Sequence, residues 1–240
     1  MSYGPLARWY DSFTRDVPYG EFADYYETLL CRDGRRTLLD LCCGTGTLTL
    51  LLAERGCEMI GVDASPEMLS VAQAKALEAQ LPVPPLFLCQ SAAELDLYGT
   101  VEAALCSLDG LNYLPPEELP ELFHRLHLFL EPGGLLAFDF HDPAHLRALD
   151  GELFADETED ALCLWRGEFD PELNALVYGL DLFTRAGALW RRDEEEHIEY
   201  AHAPETLLSL LREAGFGETE LLRDGPQHEM GRLFLRAVNL

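Results

Sequence analysis

Short apolar runs and amphipathic stretches alternate along residues 36–140. Residues 36–42, 58–62, 86–89, 101–107 and 135–140 read as five strands. Between them the apolar spacing is helical. Residues 47–55 are closed by Gly56, and 66–79 have Ser65 placed as a cap with Pro66 at the first position. Residues 116–130 are ended by Glu131-Pro132-Gly133-Gly134. Strands alternating with helices predict an α/β fold, a mostly parallel sheet with helices on both faces. Upstream, Phe22, Tyr25, Tyr26, Leu29 and Leu30 repeat at helical spacing. They predict a helical cap over residues 1–34, stopped at Asp33-Gly34.

After residue 140 the pattern changes. Residues 162–169, 175–183 and 189–200 predict three strands joined by turns at Asp170-Pro171 and Ala186-Gly187. No helix intervenes, so they form an antiparallel β meander inserted over about 160–200 as a lid. Residues 204–214 return to helix, closed by Gly215. Two last strands, about 218–223 and 232–238, complete a seven-stranded mixed sheet. Residues 1–240 read as one domain, without an internal repeat or linker.

Composition narrows the function. At 48% hydrophobic, the chain can fill a sizeable core. It has no run of about 18 apolar residues, so no membrane span is expected. Residues 1–10 lack the apolar core of a signal peptide, which predicts a soluble, cytoplasmic protein. The seven cysteines form no Cys-x-x-Cys pair, so reduced core residues and no metal site are expected. A net charge of −26 repels phosphate backbones, which makes nucleic acid a poor acceptor and a small molecule the expected one. Nothing in the pattern specifies an oligomeric state.

The strongest chemical signal is Asp40-Leu41-Cys42-Cys43-Gly44-Thr45-Gly46, where an apolar strand gives way to a helix. Glycines there let the backbone turn tightly and approach a ligand. At the end of the second strand stands Asp63, able to accept hydrogen bonds from both hydroxyls of a ribose. The fold brings both strand ends beside one ligand. A dinucleotide fingerprint counted from Gly44 fits at Gly46 but meets Thr49 at its third position, which disfavours a nicotinamide cofactor.

Asp-x-x-x-Gly-x-Gly followed by Asp63 resembles motifs I and II of class I S-adenosylmethionine-dependent methyltransferases. The likeness continues through Cys89-Gln90-Ser91-Ala92, through residues 106–114 and through Glu131-Pro132-Gly133-Gly134. Ala7-x-x-Tyr10-Asp11 and Pro18-Tyr19 resemble the N-terminal helices of a bacterial subgroup related to aminosugar N-methyltransferases. The resemblance implies a Rossmann-like fold and S-adenosylmethionine as cofactor. Asp40 would face the amino group of its methionine part, with Cys42, Gly44, Thr45 and Gly46 forming the loop around it. Asp63 would hold the ribose, Ala64 and Met68 the adenine faces, and Gln90, Ser91 and Ala92 the adenine edge. Ser107 would lie near the sulfonium, and Tyr10 and Tyr19 would close over the methionine end.

The acceptor side is expected from Asn112, Tyr113, Asp139, His141, Trp165, Tyr178 and Arg185. His141 is the candidate base, because an unperturbed imidazole titrates near neutrality. Methyl transfer to a small-molecule N or O acceptor is the leading expectation. A non-catalytic S-adenosylmethionine-binding protein and a tRNA or protein methyltransferase stand as alternatives. No [Asp/Asn]-Pro-Pro-[Tyr/Phe] motif for exocyclic base amines follows the fourth strand. That region instead reads Ser107-Leu108-Asp109-Gly110.

Overall fold

The computed structural model describes residues 3–31 and 34–240. The predicted stop at Asp33-Gly34 falls partly outside them. The last helix of the cap ends earlier, at Leu30. Two helices open the chain, α1 (Ala7–Phe13) and α2 (Tyr19–Leu30). The α/β alternation follows: β1 (Thr37–Leu41), α3 (Thr47–Glu54), β2 (Glu58–Asp63), α4 (Pro66–Ala79) and β3 (Leu86–Cys89). It continues through β4 (Val101–Cys106), α5 (Leu119–Phe129) and β5 (Leu130–His141). Ser65 caps α4 as expected, its hydroxyl accepting the Met68 amide at 3.2 Å. Helix α5 starts three residues later than the spacing implied, because residues 116–118 form a turn behind two prolines.

Seven strands form one sheet in the order β10-β11-β5-β4-β1-β2-β3, with β10 (Phe216–Leu222) and β11 (Arg232–Asn239) at one side. Strands β1 to β5 run parallel, and β11 lies antiparallel to both β5 and β10. The chain winds outward from β1 to β3 and returns to β4 beside β1. The crevice at the carboxyl ends of β1 and β4 is therefore where a ligand is expected.

Strand alternation divides the core between the two faces. Leu39, Leu41, Ala104, Cys106, Leu136 and Phe138 pack under α5 and α7 (Pro204–Ala214). Leu38, Ala103, Leu105 and Ala137 pack on the other face with Phe22, Tyr26 and Leu30 of α2 and Leu48 and Leu52 of α3. Asp40 and Asp139 belong by parity to the α2 face, and both are buried there.

The region after β5 departs from expectation twice. A short helix, α6 (Pro143–Ala148), follows β5, capped by the Asp142 carboxylate on the Ala144 amide. The second sheet has four strands rather than three: β6 (Leu153–Glu157), β7 (Ala161–Asp170), β8 (Ala175–Ala186) and β9 (Leu189–Tyr200), paired in that order and antiparallel throughout. Strand β6 escaped notice because it is an almost fully exposed edge, so no apolar alternation marks it. The sheet packs on α1 through Leu6, Phe13, Ala161, Cys163, Leu180 and Leu182. No described helix is long and apolar enough to cross a membrane.

Candidate active site

Beneath α1, at the carboxyl ends of β1, β2 and β4, lies a cavity of about 280 Å³. Its wall includes Cys42, Gly44, Thr45, Asp63, Ala64, Met68, Gln90, Ser91, Ala92 and Ser107, with Tyr10, Tyr19 and Tyr113 across from them. Asp40, Gly46, Asn112 and His141 stand behind that wall.

The loop after β1 is shaped by close approach. Gly46 has φ +73°, and a Cβ there would stand 3.0 Å from the Phe87 ring and from Ala72. The Gly44 amide donates to Asp63 Oδ2 at 2.8 Å, and the Ser65 amide donates to Oδ1 at 2.8 Å. These bonds fix the Asp63 carboxylate at the cavity edge. Burial raises its pKa, and the backbone amides oppose that rise.

Asp40 is 1% exposed. Its Oδ2 accepts the Thr49 hydroxyl at 2.5 Å, while Oδ1 has no partner. Burial pushes the carboxyl up to about 7, against the lowering effect of Thr49. An unpartnered buried carboxylate oxygen is costly, and a cation supplied by a ligand would offset that cost. Asp40 stands behind the glycine loop, where its charge would favour a ligand cation on the cavity side, and Asp63, on the wall itself, fits a ribose.

The adenine end is partly different from expectation. The Gln90 side chain is held by Asp96, its amide nitrogen on the Asp96 carbonyl at 3.2 Å and its oxygen on the Asp96 amide at 3.1 Å. Its hydrogen-bonding groups are thereby engaged. Ser91 and the apolar surfaces of Ala64, Met68 and Ala92 remain on the wall.

Helix α1 is pinned onto the loop. Asp11 accepts the Thr45 hydroxyl at 2.5 Å and the Lys75 ammonium at 2.6 Å, and Lys75 also donates to Thr47 at 2.6 Å. The Asp11 in the Ala7-x-x-Tyr10-Asp11 segment therefore ties three elements together.

Beyond Ser107 the chain turns tightly. A Cβ on Gly110 would come within 2.8 Å of Cys42 Cβ and 3.0 Å of Cys106 Sγ. This turn presents Tyr113 to the cavity and places Asn112 and Asp109 behind it. The Asn112 amide is occupied at both ends, donating to the Tyr200 carbonyl and accepting the His141 backbone amide, each at 2.9 Å. It joins the lid to the end of β5.

His141 lies in an ion network. Its Nε2 is 3.3 Å from Asp109 and 3.3 Å from Arg232, its ring stacks on His145, and its Nδ1 is buried without a partner. Asp139 accepts Tyr26 at 2.7 Å, the amides of Leu108 and Asp109 at 2.9 and 3.0 Å, and a short bond from Arg232. Burial pushes the Asp109 carboxyl up, but Arg232 and His141 outweigh it and hold it below the usual carboxylate range. Donor atoms of Asp109, His141 and Glu199 converge within 4.8 Å. The Arg232 guanidinium already neutralises Asp109 there.

On the lid, Trp165 donates to Asp156 at 2.8 Å and packs with Tyr178. Arg185 lies at the far hairpin end, over Trp190 and 3.3 Å from Asp160. Arg185 is not among the residues that line the cavity.

The sequence reading missed Tyr3, Glu195, His197 and Glu199. The Tyr3 hydroxyl bonds that of Tyr113 at 2.6 Å, and Glu195 accepts the backbone amides of Tyr3 and Leu6, each at 2.9 Å. The signal was present as Glu195-x-His197-x-Glu199. In a strand this spacing puts all three on one face, and β9 turns that face inward.

Residues 38–134 match the family model described as a methyltransferase domain. A protein of Bacillus subtilis named as a methyltransferase, YqeM, is 32% identical over 244 residues, covering 99% of this chain and 97% of its own. A solved S-adenosylmethionine-dependent methyltransferase from Clostridium acetobutylicum superposes with a TM-score of 0.83 at 25% identity, over 98% of this chain and 97% of that one. The sugar N-methyltransferase KedS8 from a Streptoalloteichus species gives 0.81 at 25%, over 95% and 92%. With this likeness along its length, and with an acid-flanked glycine loop at the switch point of a seven-stranded sheet, the chain belongs to the class I S-adenosylmethionine-dependent methyltransferases.

Proposed function

We propose that this protein transfers the methyl group of S-adenosylmethionine to a nitrogen or oxygen of a small molecule. The observation that carries the cofactor assignment is the unpartnered Asp40 oxygen beside the glycine loop, with Asp63 fixed at the next strand end. Bound there, the cofactor supplies an electrophilic methyl group on a sulfonium. Asp40 acts on the methionine ammonium from behind the glycine loop, Asp63 holds the ribose hydroxyls, and Ala64, Met68 and Ala92 the adenine faces. Tyr10 and Tyr19, carried by the cap, exclude water from the methionine end.

A small acceptor is supported by the enclosure of the cavity between the N-terminal segment, the glycine loop and Tyr113, and by the net charge of −26. The likeness to a sugar N-methyltransferase points the same way. Tyr113 faces the acceptor. Asn112 and His141 act behind it, fixing the turn and the lid. Reduced cysteines and a cytoplasmic setting accompany this reading.

Calorimetry with S-adenosylhomocysteine tests the cofactor site. Saturable binding is expected, with Asp63→Ala abolishing it while the fold is retained by circular dichroism. An absence of both binding heat and thermal shift in the wild type would overturn the reading. A panel of primary amines and phenols, with methyl-tritiated S-adenosylmethionine, then tests the acceptor class by turnover beyond one per site.

A further inference from the structure

A line of hydrogen-bonding groups runs from the cavity wall into the lid. The Tyr3 hydroxyl donates to the Tyr113 hydroxyl at 2.6 Å. The Tyr113 hydroxyl lies 3.5 Å from His197 Nδ1, and His197 Nε2 lies 3.1 Å from Glu195 Oε2. His197 is 0% exposed, and the rings of Tyr3 and Trp165 pack against it at 4.4 and 5.8 Å. Only the Tyr3 and Tyr113 end of this line borders the cavity.

The bonds set the direction at the Glu195 end, while Glu199 also draws a hydrogen bond from Tyr113. The Glu195 carboxylate accepts two backbone amides from the Tyr3–Leu6 segment, so it is held in place and negatively charged. Burial alone would raise the Glu195 carboxyl, but His197 and the Leu6 and Tyr3 amides outweigh it and bring it below its ordinary value. A carboxylate on Nε2 keeps the proton on that nitrogen and leaves the Nδ1 lone pair toward Tyr113. A carboxylate, an imidazole and a hydroxyl in this order are the parts from which an oxygen acid can be made into a base.

We propose that Tyr3, Tyr113, His197 and Glu195 form a proton relay that takes up the proton released when the acceptor is methylated. This rests on the methyl-transfer reading above and adds its base. The acceptor heteroatom gains a bond to the methyl carbon as the carbon–sulfur bond breaks, and the sulfonium becomes a neutral thioether. The acceptor's N–H or O–H proton passes to Tyr3 Oη. The Tyr3 proton passes to Tyr113 Oη, and the Tyr113 proton passes to His197 Nδ1. The imidazolium so formed stands against the Glu195 carboxylate. Both phenols stay neutral before and after the step. Burial demands this, since it raises both phenols well above their ordinary values. Tyr3 and Tyr113 are the catalytic residues of this scheme, and His197 and Glu195 act through them.

Nitrogen-15 spectra of histidine-labelled protein saturated with S-adenosylhomocysteine test the relay directly, with His197 assigned by its loss in His197→Gln. The expected wild-type signature is a protonated Nε2 and an unprotonated Nδ1. Tyr113→Phe is expected to shift the Nδ1 resonance, and Glu195→Gln to shift the tautomer balance. A protonated Nδ1 in the wild type, or an Nδ1 resonance unmoved in Tyr113→Phe, overturns the relay. With the best acceptor of the amine and phenol panel, Tyr3→Phe, Tyr113→Phe and His197→Gln are each expected to lower kcat about 100-fold. Affinity for S-adenosylhomocysteine should stay unchanged. A fall of less than about tenfold in all three overturns the relay, since general-base losses exceed that. Should no panel member be methylated, the wild-type resonances decide. Loss of S-adenosylhomocysteine binding by the wild type is a separate outcome, and it strikes the cofactor assignment instead.

Discussion

The proposed role of Asp40 would couple protonation to ligand binding. Its carboxyl is buried and raised from 3.8 to about 7, so the free protein holds a proton there at pH 6. Because the folded-state value is the raised one, its stabilising share is complete below about pH 4. That share is lost as pH rises through about 7. At ~1.4 kcal/mol for each pH unit across that span, the loss is on the order of 4 kcal/mol. A ligand ammonium brought against the Asp40 side of the glycine loop would reverse the preference and ionise the group. S-Adenosylhomocysteine binding at pH 6 is therefore expected to release protons, and at pH 8 to release few. Calorimetry in buffers of different ionisation enthalpy reads the number directly, and Asp40→Asn should abolish the release at pH 6.

Residues of this kind were legible in the sequence to unequal degrees. Asp40 and Asp63 stand at fixed offsets from strand ends and glycines, so local spacing located them. Gln90 lies on the cavity wall, yet its side chain turns to Asp96. A contact six residues downstream leaves no periodic mark. His141 seemed the natural base because imidazole titrates near neutrality. Arg232, 91 residues away in sequence, instead brings it into an ion network. Tyr3 and His197 meet only because the lid folds back on the N-terminus, and no local pattern records that meeting.

At the level of elements, Asp139 acts as a junction. It joins β5 to α2 through Tyr26, to the turn after β4 through two amides, and to β11 through Arg232. The Tyr26, Asp139 and Arg232 side chains are buried, so removing Arg232 strands the Asp139 charge, whereas Arg232 keeps Asp109 as a partner when Asp139 is neutralised. Arg232→Met is expected to cost about 3–5 kcal/mol in urea unfolding, and Asp139→Asn less, because that partner remains. The double variant Asp139→Leu with Arg232→Met should recover part of the loss if charge stranding dominates. The strand-and-helix succession from residue 37 to 140 was legible because each element there is amphipathic or fully apolar. Strand β6 and helix α6 were not, since one is an exposed edge and the other has six residues.

Across the molecule, 43 acidic side chains face 17 lysines and arginines. Such an excess opposes compaction by self-repulsion. Raising sodium chloride from about 0.01 M to about 0.15 M shortens the screening length from ~30 Å to ~8 Å. The melting temperature is expected to rise over that interval. A fall would mean that ion pairs such as Arg55 with Asp24 and Glu27 outweigh the repulsion.

Helix α1 is gripped from two sides: Asp11 clasps the glycine loop, while Glu195 clasps the segment just ahead of the helix. The glycine loop and the lid sheet are thus both tied to one N-terminal segment. A ligand that steadies the loop through α1 would steady the lid, and thermodynamic reciprocity would then require the converse by the same factor. The cap thus acts as a yoke that ties the occupancy of one half of the cavity to that of the other.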